Sequence, residues 1–160
     1  MDSFIRRVVA QRDCLNAVAG MISQLPGPVL ELGLGNGRTY DHLRELLPER
    51  EIFVFDRRVA AHPDCIPDAG HLFLGDILEQ LPVAGARLGG TVALAHSDIG
   101  TGVAERDARI AAALGPCLMP LMRPGGLVLS DQELRTGAWR ALPLPAGVPE
   151  GRYFMYRADA

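Results

Sequence analysis

The sequence lacks the features that mark membrane and exported proteins. No run of about eighteen apolar residues occurs anywhere in the 160 residues, so none is long enough to cross a membrane. The N-terminal segment has no uninterrupted apolar stretch of signal-peptide length, because Gln11, Arg12 and Asp13 break it. We therefore expect a cytoplasmic protein that does not associate with membranes.

Cysteine is scarce, and there is no excess of basic charge. The three cysteines, Cys14, Cys65 and Cys117, are far apart and form no C-x-x-C pair, which argues against a zinc site and a disulfide framework. The net charge is −3, whereas proteins that bind nucleic acid usually carry clustered basic residues that neutralise phosphates. Nucleic acid is therefore not an expected partner. The composition, 48% hydrophobic and 22% charged, predicts one globular domain over residues 1–160.

Short apolar strands alternate with amphipathic helices along the chain. Apolar residues at spacings of three and four predict helices over about residues 2–25, 38–47 and 103–122, with one or two turns after residue 77. Strands are predicted at 29–32, 52–55, 71–74, 91–95, 127–130 and 152–157, and the Pro- and Gly-rich segment around Trp139 is predicted to be a loop. This alternation is typical of an α/β fold, a doubly wound, mostly parallel sheet with helices on both faces.

Acidic residues recur where the predicted strands end. Right-handed crossovers bring the carboxyl ends of parallel strands to one edge of the sheet, which is where open α/β sheets bind ligands. The sequence therefore predicts a ligand site at that edge. The acids are Glu31, Asp56, Asp76, Asp98 and Asp131.

The first strand leads into a glycine-rich loop, Glu31-Leu-Gly-Leu-Gly-Asn-Gly37. Three glycines in five residues indicate positive φ angles or close approach of another group to the backbone. The dinucleotide fingerprint G-x-G-x-x-G fails at its third glycine, where Arg38 stands, and no Gly-Lys-Ser or Gly-Lys-Thr of a P-loop occurs. An NAD(P)-dependent oxidoreductase is thus a disfavoured alternative.

With Glu31, Gly33, Gly35 and Gly37 in the pattern E/D-x-G-x-G-x-G, the chain resembles the class I S-adenosylmethionine-dependent methyltransferases. The similarity covers about residues 29–130 and includes the Leu-Met-Arg-Pro-Gly-Gly turn before the strand at 127. The resemblance implies a Rossmann-like domain with an antiparallel last strand. It also implies S-adenosylmethionine as cofactor and methyl transfer, here to a small-molecule acceptor.

The resemblance assigns roles to the acids at the strand ends. Glu31 would attract the cationic methionyl end of the cofactor. Asp56 would accept hydrogen bonds from the ribose hydroxyls, Asp76 would hold the adenine amino group, and Ile77 would lie against the adenine face. The cofactor contacts are predicted at Glu31, Gly33, Gly35, Asn36, Gly37, Asp56, Arg57, Gly75, Asp76, Ile77, His96 and Ser97.

Two residues after the fourth strand are candidate catalytic groups. A base is needed only if the nucleophile arrives protonated, and His96 and Asp98 lie where the family places residues beside the transferred methyl. Asp98 could instead cap a helix, and His96 could pack under the sheet edge. Asp98 with Asp131-Gln132 is also similar to the Asp and Asp-Asn ligands of catechol-type, metal-dependent O-methyltransferases, so Mg²⁺ is a second option.

Three points stay open at this stage. A binding module that holds S-adenosylmethionine without turnover is an alternative function. The first helix could cover the cofactor, or its apolar stripe could form the interface of a homo-oligomer. Trp139 could form a wall of the substrate site, or it could close the hydrophobic core.

Overall fold

The computed structural model describes residues 1–159, in which one seven-stranded sheet is covered by four α-helices. The helices are α1 (Asp2–Met21), α2 (Arg38–Leu46), α3 (Ile77–Leu88) and α4 (Ala104–Leu118). The strands are β1 (Val29–Leu32), β2 (Ile52–Asp56), β3 (Leu72–Leu74), β4 (Val92–Ser97), β5 (Met122–Ser130), β6 (Trp139–Leu142) and β7 (Phe154–Ala158). None of these helices combines the length and the apolarity needed to cross a membrane.

The strand order is β3-β2-β1-β4-β5-β7-β6. β1 to β5 are parallel, whereas β7 runs antiparallel to β5, and β6 antiparallel to β7. The predicted fold class is confirmed, including the antiparallel last strand. Because β1 lies between β2 and β4, the strand order reverses beside β1, and the crevice expected at such a reversal opens there.

The core lies on both faces of the sheet. Alternate residues of a strand point to opposite faces, so Val29 packs with the α1 and α2 side chains, while its neighbour Leu30 packs with those of α3 and α4. All four residues of β1 are buried. This two-sided burial explains why the strands have continuous apolar sequences without polar alternation.

Two predicted helix ends are wrong. α1 ends at Met21, because the chain turns between Ile22 and Leu25 while both side chains still pack on the core. The apolar spacing in the sequence therefore continues past the end of the helix, because these residues still belong to the core. Likewise, α4 ends at Leu118, and residues 122–126, which include Pro124-Gly125-Gly126, begin β5. A register shift in the β4 pairing accommodates this segment.

Two further elements were predicted incompletely. α3 continues to Leu88 through Pro82, because Leu81, Ala84 and Leu88 are buried against the sheet and offset the hydrogen bond that proline cannot donate. The segment that forms β6 was predicted to be a loop, because four residues of mixed polarity are too few to show a strand pattern. Pairing of Trp139 with Ala158 on β7 makes this segment a strand.

Candidate active site

The glycine loop that follows β1 has an unusual backbone. Gly33, Gly35 and Gly37 have φ angles of 90°, 52° and 85°, which residues with a side chain rarely adopt. A Cβ on Gly33 would lie about 3 Å from the Asp98 carbonyl oxygen, and one on Gly37 would collide with Cys65. Beside Gly35 there is open space. The loop thus packs tightly at its two ends and leaves its centre accessible.

A cleft of about 300 Å³ opens beside this loop, at the carboxyl edge of the parallel strands. It brings together many of the site residues predicted from the sequence. Those in its lining are Gly33, Gly35, Asp56, Arg57, Asp76, Ile77 and Asp98. The lining also contains residues that were not predicted from the sequence. They are Leu78 on α3, and Ile99, Gly100, Thr101, Arg106 and Ile110 from the β4–α4 segment and α4. Gly100 and Gly102, close after a strand end, were the available signal for this segment.

Asp56 and Asp76 have defined partners within the protein. Asp56 Oδ2 accepts hydrogen bonds from the backbone N–H groups of Leu34 (2.8 Å) and Gly35 (3.1 Å), so this carboxylate fixes the glycine loop. Asp76 caps α3 by accepting from Leu78 N–H at 2.9 Å, and its other oxygen pairs with Arg57 at 2.9 Å. Both side chains remain partly exposed, so each can accept a further hydrogen bond from a ligand.

The third carboxylate of the cleft, Asp98, is contacted by α1. Its Oδ2 accepts hydrogen bonds from Gln11 Nε2 at 2.5 Å and from Arg7 Nη2 at 3.2 Å. The Asp98 side chain is 16% exposed and that of Arg7 is 53% exposed. The guanidinium of Arg38, at the start of α2, lies 5.3 Å from the Phe4 ring centroid. The N-terminal half of α1 is therefore tied both to the end of β4 and to the helix that follows the glycine loop.

Two predicted site residues, Glu31 and His96, lie below the cleft and are fully buried. One Glu31 oxygen accepts a hydrogen bond from Thr39 Oγ1, and the other lies 2.6 Å from His96 Nδ1. His96 Nε2 lies 3.3 Å from the hydroxyl of Tyr153. Both carboxylate oxygens of Glu31 and both ring nitrogens of His96 are thus already engaged within the protein. Tyr153, which precedes β7, was not identified from the sequence.

The remaining predicted contacts also lie outside the cleft lining. The Asn36 side chain accepts from Arg38 N–H at 3.1 Å in the turn that leads into α2. Gly75 N–H donates to the Asp56 carbonyl oxygen at 3.0 Å. Gly37 packs against Cys65, and the Ser97 side chain is 1% exposed. These four residues shape the surroundings of the cleft.

Burial and charge perturb three groups beneath the cleft. Burial lowers the pKa of His96, but the adjacent Glu31 carboxylate outweighs it, so the net shift of this pKa is upward. When protonated, His96 donates to Glu31 and Tyr153 together. Burial raises the pKa of Tyr153, and the charge of Asp98 raises it further, so this hydroxyl stays neutral. Burial and the charge of Asp98 also raise the pKa of Asp131, whose Oδ2 accepts from Gly100 N–H at 2.9 Å.

The surroundings of Asp98 do not fit the Mg²⁺ suggested by the catechol-type resemblance. Within residues 1–159, no three His, Cys, Asp or Glu side chains come close enough to hold a metal ion. Asp131, the second acid of that resemblance, already accepts from Gly100 N–H and from Gln132 Nε2 through Oδ2. Trp139 lies on β6 with its ring 6.1 Å from that of Tyr156, and it is not part of the cleft lining.

The glycine loop, the acidic cleft and the strand order agree with the results of comparison with known families. A family model described as S-adenosyl-L-methionine methyltransferase matches residues 1–158. The chain belongs to this family. The protein is therefore an S-adenosylmethionine-dependent methyltransferase, as the class I resemblance predicted, and not the alternative oxidoreductase.

Solved structures with a similar fold include one that is also similar in sequence and others that are distant in sequence. The S-adenosyl-L-methionine methyl transferase of Silicibacter pomeroyi DSS-3 is 46% identical, with a TM-score of 0.93 over 97% of this chain and 95% of that chain. The 16S rRNA (adenine(1408)-N(1))-methyltransferase of Catenulisporales acidiphilia is 16% identical (TM-score 0.51; 93% and 90% covered). MycE, from the mycinamycin biosynthetic pathway, is also 16% identical (TM-score 0.52; 86% and 43% covered). The last two share the fold alone. No match was found among curated proteins.

Proposed function

We propose that this methyltransferase holds S-adenosylmethionine in the cleft beside the glycine loop and methylates a small-molecule acceptor. The observation that carries the proposal is the lining of the cleft. Three carboxylates, Asp56, Asp76 and Asp98, share it with the apolar side chains of Ile77 and Ile99. S-adenosylmethionine has a sulfonium and an ammonium charge next to a flat adenine. Carboxylates in a partly desolvated cleft attract such charges, and apolar side chains suit the adenine.

The individual contacts are those that the resemblance to class I methyltransferases implies. Asp56, at the end of β2, would accept hydrogen bonds from ribose hydroxyls while it continues to hold the loop. Asp76 would accept from the adenine amino group, with Ile77 against the ring. The open backbone at Gly35 lets the ligand approach closely. When bound, S-adenosylmethionine supplies an electrophilic methyl group on sulfur.

The contribution of the protein to the chemistry is mainly alignment and exclusion of water. His96 has both ring nitrogens engaged and is fully buried, so we place its role in holding Glu31 beneath the loop. Of the two predicted catalytic residues, only Asp98 faces the cleft. A base is dispensable for a nucleophile that arrives unprotonated.

The charge of the protein and of the cleft argues against a nucleic-acid acceptor. The net charge is −3, and the cleft has two arginines, Arg57 and Arg106, against three carboxylates. Arg57 is itself paired with Asp76. An anionic phosphate backbone would meet repulsion here, because nucleic-acid affinity depends on neutralising phosphates. Cytoplasmic location, a single-domain organisation and homo-oligomer formation stay predictions.

The first experiment tests the cofactor site. Thermal unfolding with S-adenosylmethionine, S-adenosylhomocysteine, NAD and NADP should show stabilisation by the first two only, by about 3 kcal/mol at a hundredfold excess over Kd. Asp56→Asn should remove this stabilisation, because the amide can still accept from the loop but loses the charge and one acceptor. The control is Asp64→Asn, an acid that is 89% exposed and outside the cleft. Stabilisation that survives Asp56→Asn would contradict the assignment.

The second experiment tests the acceptor class. The protein is incubated with methyl-labelled S-adenosylmethionine and with separate fractions of small metabolites, RNA and protein. We expect label in the metabolite fraction and none in the macromolecules, with Asp56→Asn as the inactive control. Label in RNA would overturn the small-molecule proposal while leaving the cofactor site intact.

A further inference from the structure

The motif acid Glu31 is not available to the amino-acid end of the cofactor in this fold. It is fully buried, and its two carboxylate oxygens are taken by Thr39 and His96. A ligand ammonium at Glu31 would have to displace the His96 ring from a buried ion pair, which would leave His96 without its partner. The positive ammonium therefore binds another acceptor.

Asp98 is the carboxylate that the cleft offers at that end. Asp56 and Asp76 follow β2 and β3 on one side of the glycine loop, whereas Asp98 follows β4 on the other side. A ligand with its nucleoside on Asp56 and Asp76 therefore extends across the loop toward Asp98. Unlike Glu31, Asp98 lines the cleft.

Asp98 already has a cationic partner in Arg7. The guanidinium contacts Oδ2 through a single nitrogen at 3.2 Å, and the Arg7 side chain is 53% exposed. Because this contact is single and its Arg7 end is exposed, the pair opens at little cost, and Asp98 keeps its hydrogen bond from Gln11. Once opened, it offers a carboxylate to an ammonium group and a guanidinium to a carboxylate. The amino-acid end of S-adenosylmethionine carries both groups on one carbon atom.

We propose that the zwitterionic amino-acid end of the cofactor inserts into the Arg7–Asp98 ion pair. The ammonium group binds Asp98, and the carboxylate binds Arg7. Gln11, which donates to Asp98 at 2.5 Å, keeps the Asp98 side chain in place during the exchange. This inference rests on the proposed cofactor site and assigns Asp98 to cofactor binding instead of proton transfer.

Paired ligands test this arrangement without measuring activity. S-adenosylhomocysteine has the amino-acid end, whereas 5′-methylthioadenosine has the same nucleoside and lacks it. Calorimetry should show that Arg7→Gln and Asp98→Asn each weaken S-adenosylhomocysteine binding on the order of tenfold, the loss typical of one charged hydrogen bond. Binding of 5′-methylthioadenosine should change less than about twofold, within the usual effect of surface substitutions. Arg6→Gln is the matched control, since Arg6 is exposed and makes no ion pair within the described residues.

A second comparison separates the two charges. Decarboxylated S-adenosylmethionine keeps the ammonium and lacks the carboxylate. Arg7→Gln should not weaken its binding, because the ligand has no carboxylate for Arg7 to hold, whereas Asp98→Asn should weaken its binding about as much as that of S-adenosylhomocysteine.

The outcomes distinguish failure of this inference from failure of the site. If Arg7→Gln leaves S-adenosylhomocysteine binding intact, or weakens all three ligands equally, the exchange is refuted while the cofactor site stands. If wild-type protein binds none of the ligands, or binds them equally well with Asp56→Asn, the cofactor site itself is refuted.

Discussion

Replacing Glu31 should show whether this acid serves mainly to hold the fold beneath the glycine loop. Glu31→Leu would leave His96 and the Thr39 hydroxyl buried without their acceptor. Breaking one side of a buried ion pair costs about 3–5 kcal/mol. Typical domains are stable by about 5–15 kcal/mol in total, so the loss is large but leaves the protein folded if its stability is near the middle of that range.

The double variant Glu31→Leu/His96→Leu gives the decisive comparison. It removes the buried carboxylate and the buried imidazole together, and such replacement of both partners is often close to neutral. Tyr153 and Thr39 would still lose one hydrogen bond each, at about 1–3 kcal/mol for each buried group left unsatisfied. We therefore expect the double variant to be destabilised by less than the sum of the two single variants.

The measurement is urea unfolding followed by circular dichroism, with thermal unfolding as a second readout. For a chain of this size, 1 kcal/mol corresponds to about 2–4 °C in Tm, so Glu31→Leu should lower Tm by about 6–20 °C. Glu49→Leu is the control at an exposed site and should change stability by less than about 0.5 kcal/mol. A loss below about 1 kcal/mol in Glu31→Leu, or strictly additive losses in the double variant, would refute the role assigned to the pair.

Three further experiments test other parts of the structure. Gly37→Ala should cost about 1–3 kcal/mol more in urea unfolding than Gly147→Ala, because both have positive φ but only Gly37 faces Cys65; equal losses would contradict the packing. Cys14, whose pKa burial raises to about 11, should react with iodoacetamide at pH 8 far more slowly than Cys65 by mass spectrometry, and equal rates would disprove its burial. The Asp107 carboxylate accepts hydrogen bonds from three donors in the loop before α4, and these bonds lower its pKa. The ionised carboxylate therefore stabilises the folded protein above about pH 4, and this contribution is lost as the pH falls. Asp107→Asn should therefore destabilise at pH 7 and have little effect near pH 2, and a pH-independent loss would refute this.

The amino-acid sequence by itself specified the local features of the protein. Uninterrupted apolar segments such as residues 52–55 identified the parallel strands, because strands buried on both faces have no polar alternation. The three glycines after Glu31 identified the loop, because positive φ angles restrict the residue type. The acids Asp56, Asp76 and Asp98 marked the edge of the sheet at which the cleft opens, since parallel strands end on the same side.

Tertiary structure decided what each of these groups touches. Gly35 and Glu31 belong to the same sequence motif and are only four residues apart. Gly35 borders the cleft, whereas Glu31 is buried and paired with His96. Arg7 reaches Asp98 across 91 residues of chain, and no local spacing encodes that contact. Residue type and periodicity report on backbone conformation and burial. The pairing of charges depends on which elements the fold packs together, and this pairing determines whether an acid meets the ligand or the protein itself.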